Sequence, residues 1–223
     1  MTNPIVFSSK GAHAYAQLRR SILMGELEPG ARVAQYELAE KMGMSITPLR
    51  EAIRQLAAEG LVDVMAHRDV RVSEVSAQEA RQLLEARLAL EPVATRLAAQ
   101  RRSDAEMAAI DEAAARLVPV TRRNGEAALE AHRAFHRAVY AASGNDVVTR
   151  MLDELWDKSD RYRRLGMSLP AGEAARTEDF QQHHDLARLV REGAGDAAEA
   201  LARAHIRESL SATLLDALEG GGR

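Results

Sequence analysis

The amino-acid sequence predicts a mainly α-helical protein in two parts. Residues 1–75 read as a winged helix-turn-helix, and residues 76–223 as an antiparallel bundle of six helices. Three observations carry this expectation. Apolar residues make up 46% of the chain but aromatics only 4%, so the apolar content is largely Ala and Leu, which suits packed helices better than strands. Apolar positions recur at three- and four-residue spacing along most of the chain, punctuated by Gly and Pro. Strand-like alternation is confined to Leu61-Val-Asp-Val64 and Val70-Arg-Val-Ser73, on either side of Ala66-His-Arg-Asp69.

Residues 1–9 show no period and read as a loose arm. Ala14, Tyr15, Leu18 and Ile22 give one apolar edge over Lys10–Met24, hence a first helix that stops at Gly25, and Glu28-Pro-Gly30 is a turn. A short helix over Gln35–Met42 closes at Gly43. The next stretch, Ser45 to Leu61, separates into two faces at about 100° per residue. Leu49, Ala52, Ile53 and Leu56 fall on one face, and Thr47, Arg50 and Arg54 on the other. Pro48 suits a first helical turn, Ser45 or Thr47 can cap it, and Gly60 can end it. Helix, short helix, tight turn, helix and hairpin is a winged helix-turn-helix. A helix with a buried edge and two arginines one turn apart can lie in a DNA major groove, each guanidinium gripping a phosphate or forking onto guanine. The alternative is a surface helix with solvated arginines.

Charge does not decide between them. The net charge is −3, with nine basic and nine acidic residues up to Val75 and 21 and 24 beyond it, so neither part is strongly basic. The absence of cysteine excludes disulfides and thiolate metal sites and fits a reducing cytoplasm, where the protein is expected. No apolar run approaches the roughly 18 residues of a membrane span, and the N-terminus lacks a signal-peptide core.

Five segments in order, Leu27-Glu-Pro-Gly30, Glu37-Leu-Ala-Glu40, Met42-Gly-Met-Ser45, Thr47-Pro-Leu-Arg-Glu-Ala52 and Leu56-Ala-Ala-Glu-Gly-Leu-Val62, resemble the signature of the GntR transcription factors. The resemblance covers most of residues 11–75. It implies a DNA-facing set of Tyr36, Ser45, Ile46, Thr47, Arg50 and Arg54, with Arg68 at the wing. Two positions depart from the family pattern: Ile46 stands where a base-reading arginine is common, and Asp69 where the wing tip commonly has glycine.

The second part opens with Ser76-Ala-Gln-Glu79, the spacing of a capping box, and its helix should run to about Arg101. Arg87 lies inside that helix's apolar stripe with Glu91 one turn on; either the two satisfy each other, or Arg87 is available to a ligand. Ser103-Asp-Ala-Glu106 opens a helix to about Val118. Asn124-Gly125 precedes another, which runs to Ala142, and a fourth, after the break at Ser143-Gly-Asn145, runs to about Arg164. Residues 165–177 read as a loop, followed by helices over Glu178–Glu192 and Asp196–Leu218 and a frayed Gly220-Gly-Gly end. Short turns between helices favour an antiparallel bundle. Glu85-Ala-Arg-Leu-Ala-Leu-Glu91, Phe135-His136, Ala142-Ser-Gly-Asn145 and the late histidines resemble the FCD domain, the effector-binding module of FadR-type GntR regulators, over about residues 76–210.

Four of the seven histidines share one kind of position. His132 and His136 are one turn apart on the apolar face that holds Ala128, Phe135 and Val139. His183 lies with Phe180, Leu186 and Val190, and His205 with Ala198, Leu201 and Ala212. A single core histidine is usually only hydrogen-bonded, but four imidazoles on converging faces are costly unless something ligates them. The FCD resemblance implies a metal site at these same four positions, with His132 replacing the commoner aspartate, and an all-imidazole set suits zinc or nickel. His184 should face away, and His13 and His67 should be surface residues.

The expected protein is a ligand-responsive transcriptional regulator, a repressor by preference, that binds a palindromic operator as a homodimer. Its effector is expected to be a small carboxylate held by the metal and Arg87. The alternatives are a metal-dependent enzyme on a helical bundle with a DNA-binding appendage, or a structural dimer with a metal-free pocket. A di-iron bundle wants Glu-x-x-His pairs, and no histidine here has Glu three residues before it.

Overall fold

The computed structural model describes residues 10–65, 69–119, 125–168, 174–209 and 212–220. The chain divides into two compact units, Met1–Val75 and Ser76–Arg223.

In the first unit, α1 (Lys10–Leu23) buries Ala14, Leu18 and Ile22, one residue per turn, against α3 (Ile46–Ala58). The short α2 (Gln35–Lys41) precedes Gly43, whose φ of +61° makes the turn between α2 and α3. α3 buries the predicted edge, Leu49, Ala52, Ile53 and Leu56. Leu49 and Leu56 are fully enclosed, and removing each from water stabilises the unit by about 1.5–3 kcal/mol. Ser45 sits at the N-cap with extended backbone, but its side chain makes no capping bond. One of the two usual donors to an N-cap oxygen is missing, because the third helical residue is Pro48 and has no N–H. At the other end Gly60 has φ +70°, its N–H reaches Ala57 O and the Leu61 N–H reaches Leu56 O. These two bonds close a Schellman motif, with Leu61 and Leu56 both buried.

The wing is an antiparallel pair, β1 (Val62–Val64) and β2 (Val70–Val72), in the register Val62↔Val72, Asp63↔Arg71 and Val64↔Val70. Val62, Val70 and Val72 turn inward, and backbone bonds from Val33 N to Val70 O and from Val72 N to Ala31 O tie the segment before α2 to β2.

The second unit is built round α4 (Ala77–Arg101), which packs on α6 (Gly125–Ala141), α7 (Asp146–Ser168), α8 (Ala174–Glu192) and α9 (Gly195–Ser209). Ser76 caps α4 by accepting from Glu79 N. The Glu79 carboxylate does not return to complete the box; it accepts from the Tyr162 hydroxyl, which itself receives Ser76 N–H. On α5 (Asp104–Ala115) the box is complete between Ser103 and Glu106. Pro92 lies inside α4 and leaves the Leu88 carbonyl without its helical donor; the Arg203 guanidinium supplies one at 3.2 Å. The core centres on Ala94, Ala98, Ile110, Phe135, Leu152 and Val190.

Several boundaries differ from expectation, among them the start of α8, at Ala174 rather than Glu178. α5 ends at Ala115 rather than Val118, where the terminal carbonyls of Ala113 and Ala114 receive bonds from Arg116 and Leu117 N–H. α7 runs on to Ser168 through Gly166, since one glycine costs a helix only about 1 kcal/mol. The last helix, expected in one piece over Asp196–Leu218, is described as α9 and α10 (Ala212–Gly220), and residues 210 and 211 between them lie outside the described residues. The arm at 1–9, the loop positions 169–173, Asn124 and the end at 221–223 lie outside the described residues, as do His67 and Arg68.

Candidate functional site

The four predicted histidines meet inside the second unit. His132 and His136 come from α6, His183 from α8 and His205 from α9, all buried, with ring centroids 4.4–6.1 Å apart. Each offers one ligand nitrogen, and those nitrogens lie within 4.8 Å of one another, so the cluster could hold a metal ion. His184 points elsewhere, against Phe180, and His13 is exposed.

The hydrogen bonds around the cluster settle where the imidazole protons are. His183 Nδ1 is 2.5 Å from the Asp179 carbonyl, which only accepts, so Nδ1 carries the proton. His205 Nδ1 is 2.8 Å from Gln182 Oε1, and the amide is oriented by its own donation to Glu208, so this Nδ1 is also protonated. Tyr140 gives its single proton to Glu91 Oε2 at 2.7 Å, which leaves its oxygen to accept from His136 Nδ1 at 3.0 Å. Burial and the neighbouring Glu91 push the Tyr140 phenol well above its ordinary range, so that proton stays. In these three rings the Nε2 lone pair is therefore bare. His136 Nε2 and His183 Nε2 face each other at 2.9 Å. Two lone pairs that close repel unless a cation lies between or beside them.

A shared proton is disfavoured. Burial, then neighbouring cationic groups, hold His132, His136 and His205 well below the usual imidazole range; His183 is also lowered by burial, with Asp179 opposing. Three neutral imidazoles with bare Nε2 atoms form a ligand set for a divalent cation, and their Nδ1 partners, a carbonyl, an amide and a tyrosine, are the outer hydrogen bonds that orient such ligands.

Two arginines border the cluster. Arg87, expected either to pair internally or to await a ligand, forks onto Glu91 with Nε–Oε1 2.5 Å and Nη2–Oε2 3.4 Å, both side chains buried. Its guanidinium also lies 4.8 Å from the Trp156 ring centre. Burial lowers the Arg87 pKa, but the Glu91 charge and hydrogen bond, together with the charges of Tyr140 and Asp160, outweigh it and leave it raised. Arg163, which the periodicity did not single out, donates from Nη1 to His132 Nδ1 at 2.8 Å and lies 5.3 Å from the Trp156 ring centre. Its signal was present in the sequence: Trp156 is the single tryptophan, and Arg163 follows it by two helical turns. Tyr140 and Asp179, each one turn from a cluster histidine, were equally findable. The cavity between Glu91, Phe135, Tyr140 and His205 has a volume of about 10 Å³, room for about one water molecule.

On the first unit, Thr47 and Arg54 are exposed on α3 and Arg50 is half-buried, opposite the Leu49–Leu56 edge. Neither Arg50 nor Arg54 makes an ion pair among the described residues. Tyr36 is 72% exposed on α2, and Ser45 is exposed at the head of α3. Ile46 is different: it is half-buried and packs on the core of its own unit. At the wing, Asp69 accepts from Arg32 Nε at 2.8 Å and from Arg71 Nε at 3.1 Å. The carboxylate that stands where the family's wing tip commonly has glycine is thus neutralised within the wing.

A winged helix-turn-helix with unpaired arginines on its third helix, joined in one chain to a helical unit with a ligand-type cluster, defines a DNA-binding transcriptional regulator. Residues 10–72 match the bacterial regulatory proteins of the gntR family and residues 82–208 match the FCD domain, so the chain belongs to the GntR family in its FCD-containing branch. It is a regulator and not an enzyme. It is 30% identical to the HTH-type transcriptional repressor GlaR of Escherichia coli over 182 residues, which cover 79% of this chain and 83% of GlaR. It is also 30% identical to the E. coli transcriptional regulator McbR over 140 residues, 62% of this chain and 63% of McbR's own length. The solved structure of E. coli McbR/YncC shares the fold, with a TM-score of 0.77 over 96% of this chain and 99% of that one at 22% identity. Among the described residues no helix is long and apolar enough to cross a membrane.

Proposed function

We propose that this chain is a cytoplasmic repressor that binds a palindromic operator as a homodimer and releases it in response to a small carboxylate sensed beside a divalent cation in the bundle. The chain would divide its work at residue 75. Residues 1–75 would bind DNA through Thr47, Arg50 and Arg54, flanked by Tyr36, Ser45 and Ile46 and, at the wing, by Arg68. Residues 76–223 would dimerise and bind the effector. Repression follows the printed description of GlaR.

The cation would be zinc or nickel, held by the cluster of His132, His136, His183 and His205. The single observation that carries this reading is the 2.9 Å approach of the two unprotonated Nε2 atoms of His136 and His183. A bound divalent cation would supply positive charge and open coordination positions, an environment that favours an anionic oxygen. The small cavity means that the anion enters only as side chains part. Arg87 would reach its carboxylate by exchanging Glu91 for it. The test is metal analysis of protein purified without a histidine tag, followed by calorimetry with a panel of small carboxylates on the loaded and chelated forms. About one zinc or nickel per chain, and carboxylate binding that disappears on chelation, is the expected result. A metal-free protein, or equal binding by both forms, overturns the reading.

A further inference from the structure

One of the four histidines does not match the other three. His136, His183 and His205 carry their protons on Nδ1 and leave Nε2 bare. His132 is reversed. The Arg163 Nη1 atom lies 2.8 Å from His132 Nδ1, and a guanidinium can only donate. His132 Nδ1 therefore holds the lone pair, and in the neutral ring the proton sits on Nε2. A protonated nitrogen has no lone pair for a cation. For His132 to ligate through Nε2 its proton must move to Nδ1, and two N–H groups would then face each other across the 2.8 Å now spanned by a hydrogen bond.

The inference rests on reading the cluster as a metal site. We propose that a cation there is held by His136, His183 and His205 while Arg163 stands on His132, and that His132 becomes a fourth ligand only when Arg163 moves away. The structure offers Arg163 a second seat. Asp160 lies one turn before it on α7, and Asp160 Oδ2 is taken by Arg133 Nη1 at 3.0 Å. Asp160 Oδ1 is buried with no hydrogen-bond partner among the described residues, 3.7 Å from Arg163 Nη1. A change of side-chain torsion would bring the guanidinium onto that oxygen and free His132 Nδ1 to take up a proton. Arg163 thus acts as a positioning residue that decides whether the site has three imidazoles or four. The usual one-for-one replacement of an aspartate ligand by histidine does not hold here, because an aspartate would accept from Arg163 and ligate a cation at once, and a neutral histidine cannot.

The test measures zinc affinity by chelator competition on the full chain, in a double-mutant cycle of His132→Phe and Arg163→Met, with His183→Phe as the reference for a lost ligand. In the wild-type background His132→Phe should weaken zinc by no more than about threefold, and His183→Phe by roughly a hundredfold or more. Once Arg163 is methionine, His132→Phe should cost tenfold or more, a coupling of at least about 0.7 kcal/mol. A second readout needs no variant: ring-nitrogen NMR of the wild-type protein should show the His132 proton on Nε2 and the other three on Nδ1. Equal losses for His132→Phe and His183→Phe in the wild-type background, or a His132 proton on Nδ1, overturn the inference and leave the metal site standing. A wild-type chain that takes up no zinc overturns the metal reading and this inference with it.

Discussion

Arg50 and Arg54 on α3 and Arg87 and Arg163 in the bundle are all helical arginines beside an apolar stripe, and they end in opposite states. The first pair, Arg54 exposed and Arg50 half-buried, makes no ion pair among the described residues; the second pair is turned inward, one guanidinium on a carboxylate and one on an imidazole. For Arg163 the partner comes from another helix; for Arg87 the difference lies in what stands one turn away on the same face. Arg87 has Glu91 at i+4, whereas Arg50 has Ile46 and Arg54 at i±4. A guanidinium with a carboxylate one turn along the same stripe can be buried as a pair. Two guanidinium groups adjacent on a helix repel each other unless an outside anion lies against both, and a DNA backbone is such an anion.

The inward environment should show its largest effect with pH. The four cluster histidines are held below their ordinary range by burial, so the folded state keeps them neutral where the unfolded chain protonates them. Above about pH 6.5 neither state binds the extra protons, and stability is flat with respect to these groups. As pH falls below about 6.5 the unfolded chain gains them first, and folding loses about 1.4 kcal/mol per pH unit for each histidine that stays neutral, about 5 kcal/mol per unit for four. The loss continues until the folded pKa values are reached. Urea unfolding of the chelated protein at pH 7.5, 6.5 and 5.5 checks this; equal stability at 6.5 and 5.5 would mean the imidazoles are open to water.

A smaller effect, but one aimed at the pairing itself, comes from Glu91→Ala. This variant leaves the Arg87 charge buried without its partner and removes the acceptor of the Tyr140 proton. The expected cost is about 3–5 kcal/mol in unfolding free energy. Arg87→Met combined with Glu91→Leu removes both charges and should recover most of the loss, because a buried ion pair can be exchanged for packed apolar groups of like volume at little cost. Failure of the double variant to recover would show that Glu91 matters for Tyr140 and the histidines rather than for Arg87.

Much of this contrast was legible in the sequence. The buried edge of α3, the Schellman end at Gly60, the hairpin at 62–72 and the convergence of four histidines all follow from periodicity and turn chemistry, which are local. What was not legible depends on pairs far apart in the chain. The Tyr162 hydroxyl takes the Glu79 carboxylate away from the Ser76 capping box across 83 residues, and Arg203 relieves the Pro92 break across 115 from Leu88. The asymmetry of His132 is of the same kind, since it needs Arg163 from the next helix to define it. That Ile46, one of the expected DNA-facing set, also packs on the core of its own unit is not visible from its own helix.

For the outward arginines the expected change is in binding, not folding. Arg54→Ala should weaken operator binding by about 1–3 kcal/mol if the side chain forks onto a base, and less, but equally on operator and random DNA, if it contacts a phosphate. Arg50→Ala should behave likewise. Fluorescence anisotropy at two salt concentrations separates the cases, because losing a phosphate contact also flattens the salt dependence. Unchanged affinity in both variants would place α3 away from the DNA.

The wing holds an intermediate case, and it makes the finest test. Arg32 and Arg71 are paired, as Arg87 is, but with an exposed network around Asp69 rather than a buried one. Exposed pairs are worth only about 0–1 kcal/mol, so a phosphate can compete for these arginines where it could not compete for a buried one. If the wing meets DNA as proposed, Asp69 would stand in weakly for a phosphate; in the structure it pairs with both arginines and lowers the charge the wing presents. Asp69→Asn should leave folding almost unchanged, because the site is at the surface. It should tighten binding to random DNA a few-fold and steepen the plot of log affinity against log salt by about 0.9 for each phosphate newly gripped. Anisotropy titration against a random duplex between about 50 and 200 mM salt measures both quantities. An unchanged slope would mean that Arg32 and Arg71 stay away from the backbone even when freed, and that their pairing with Asp69 serves the wing alone.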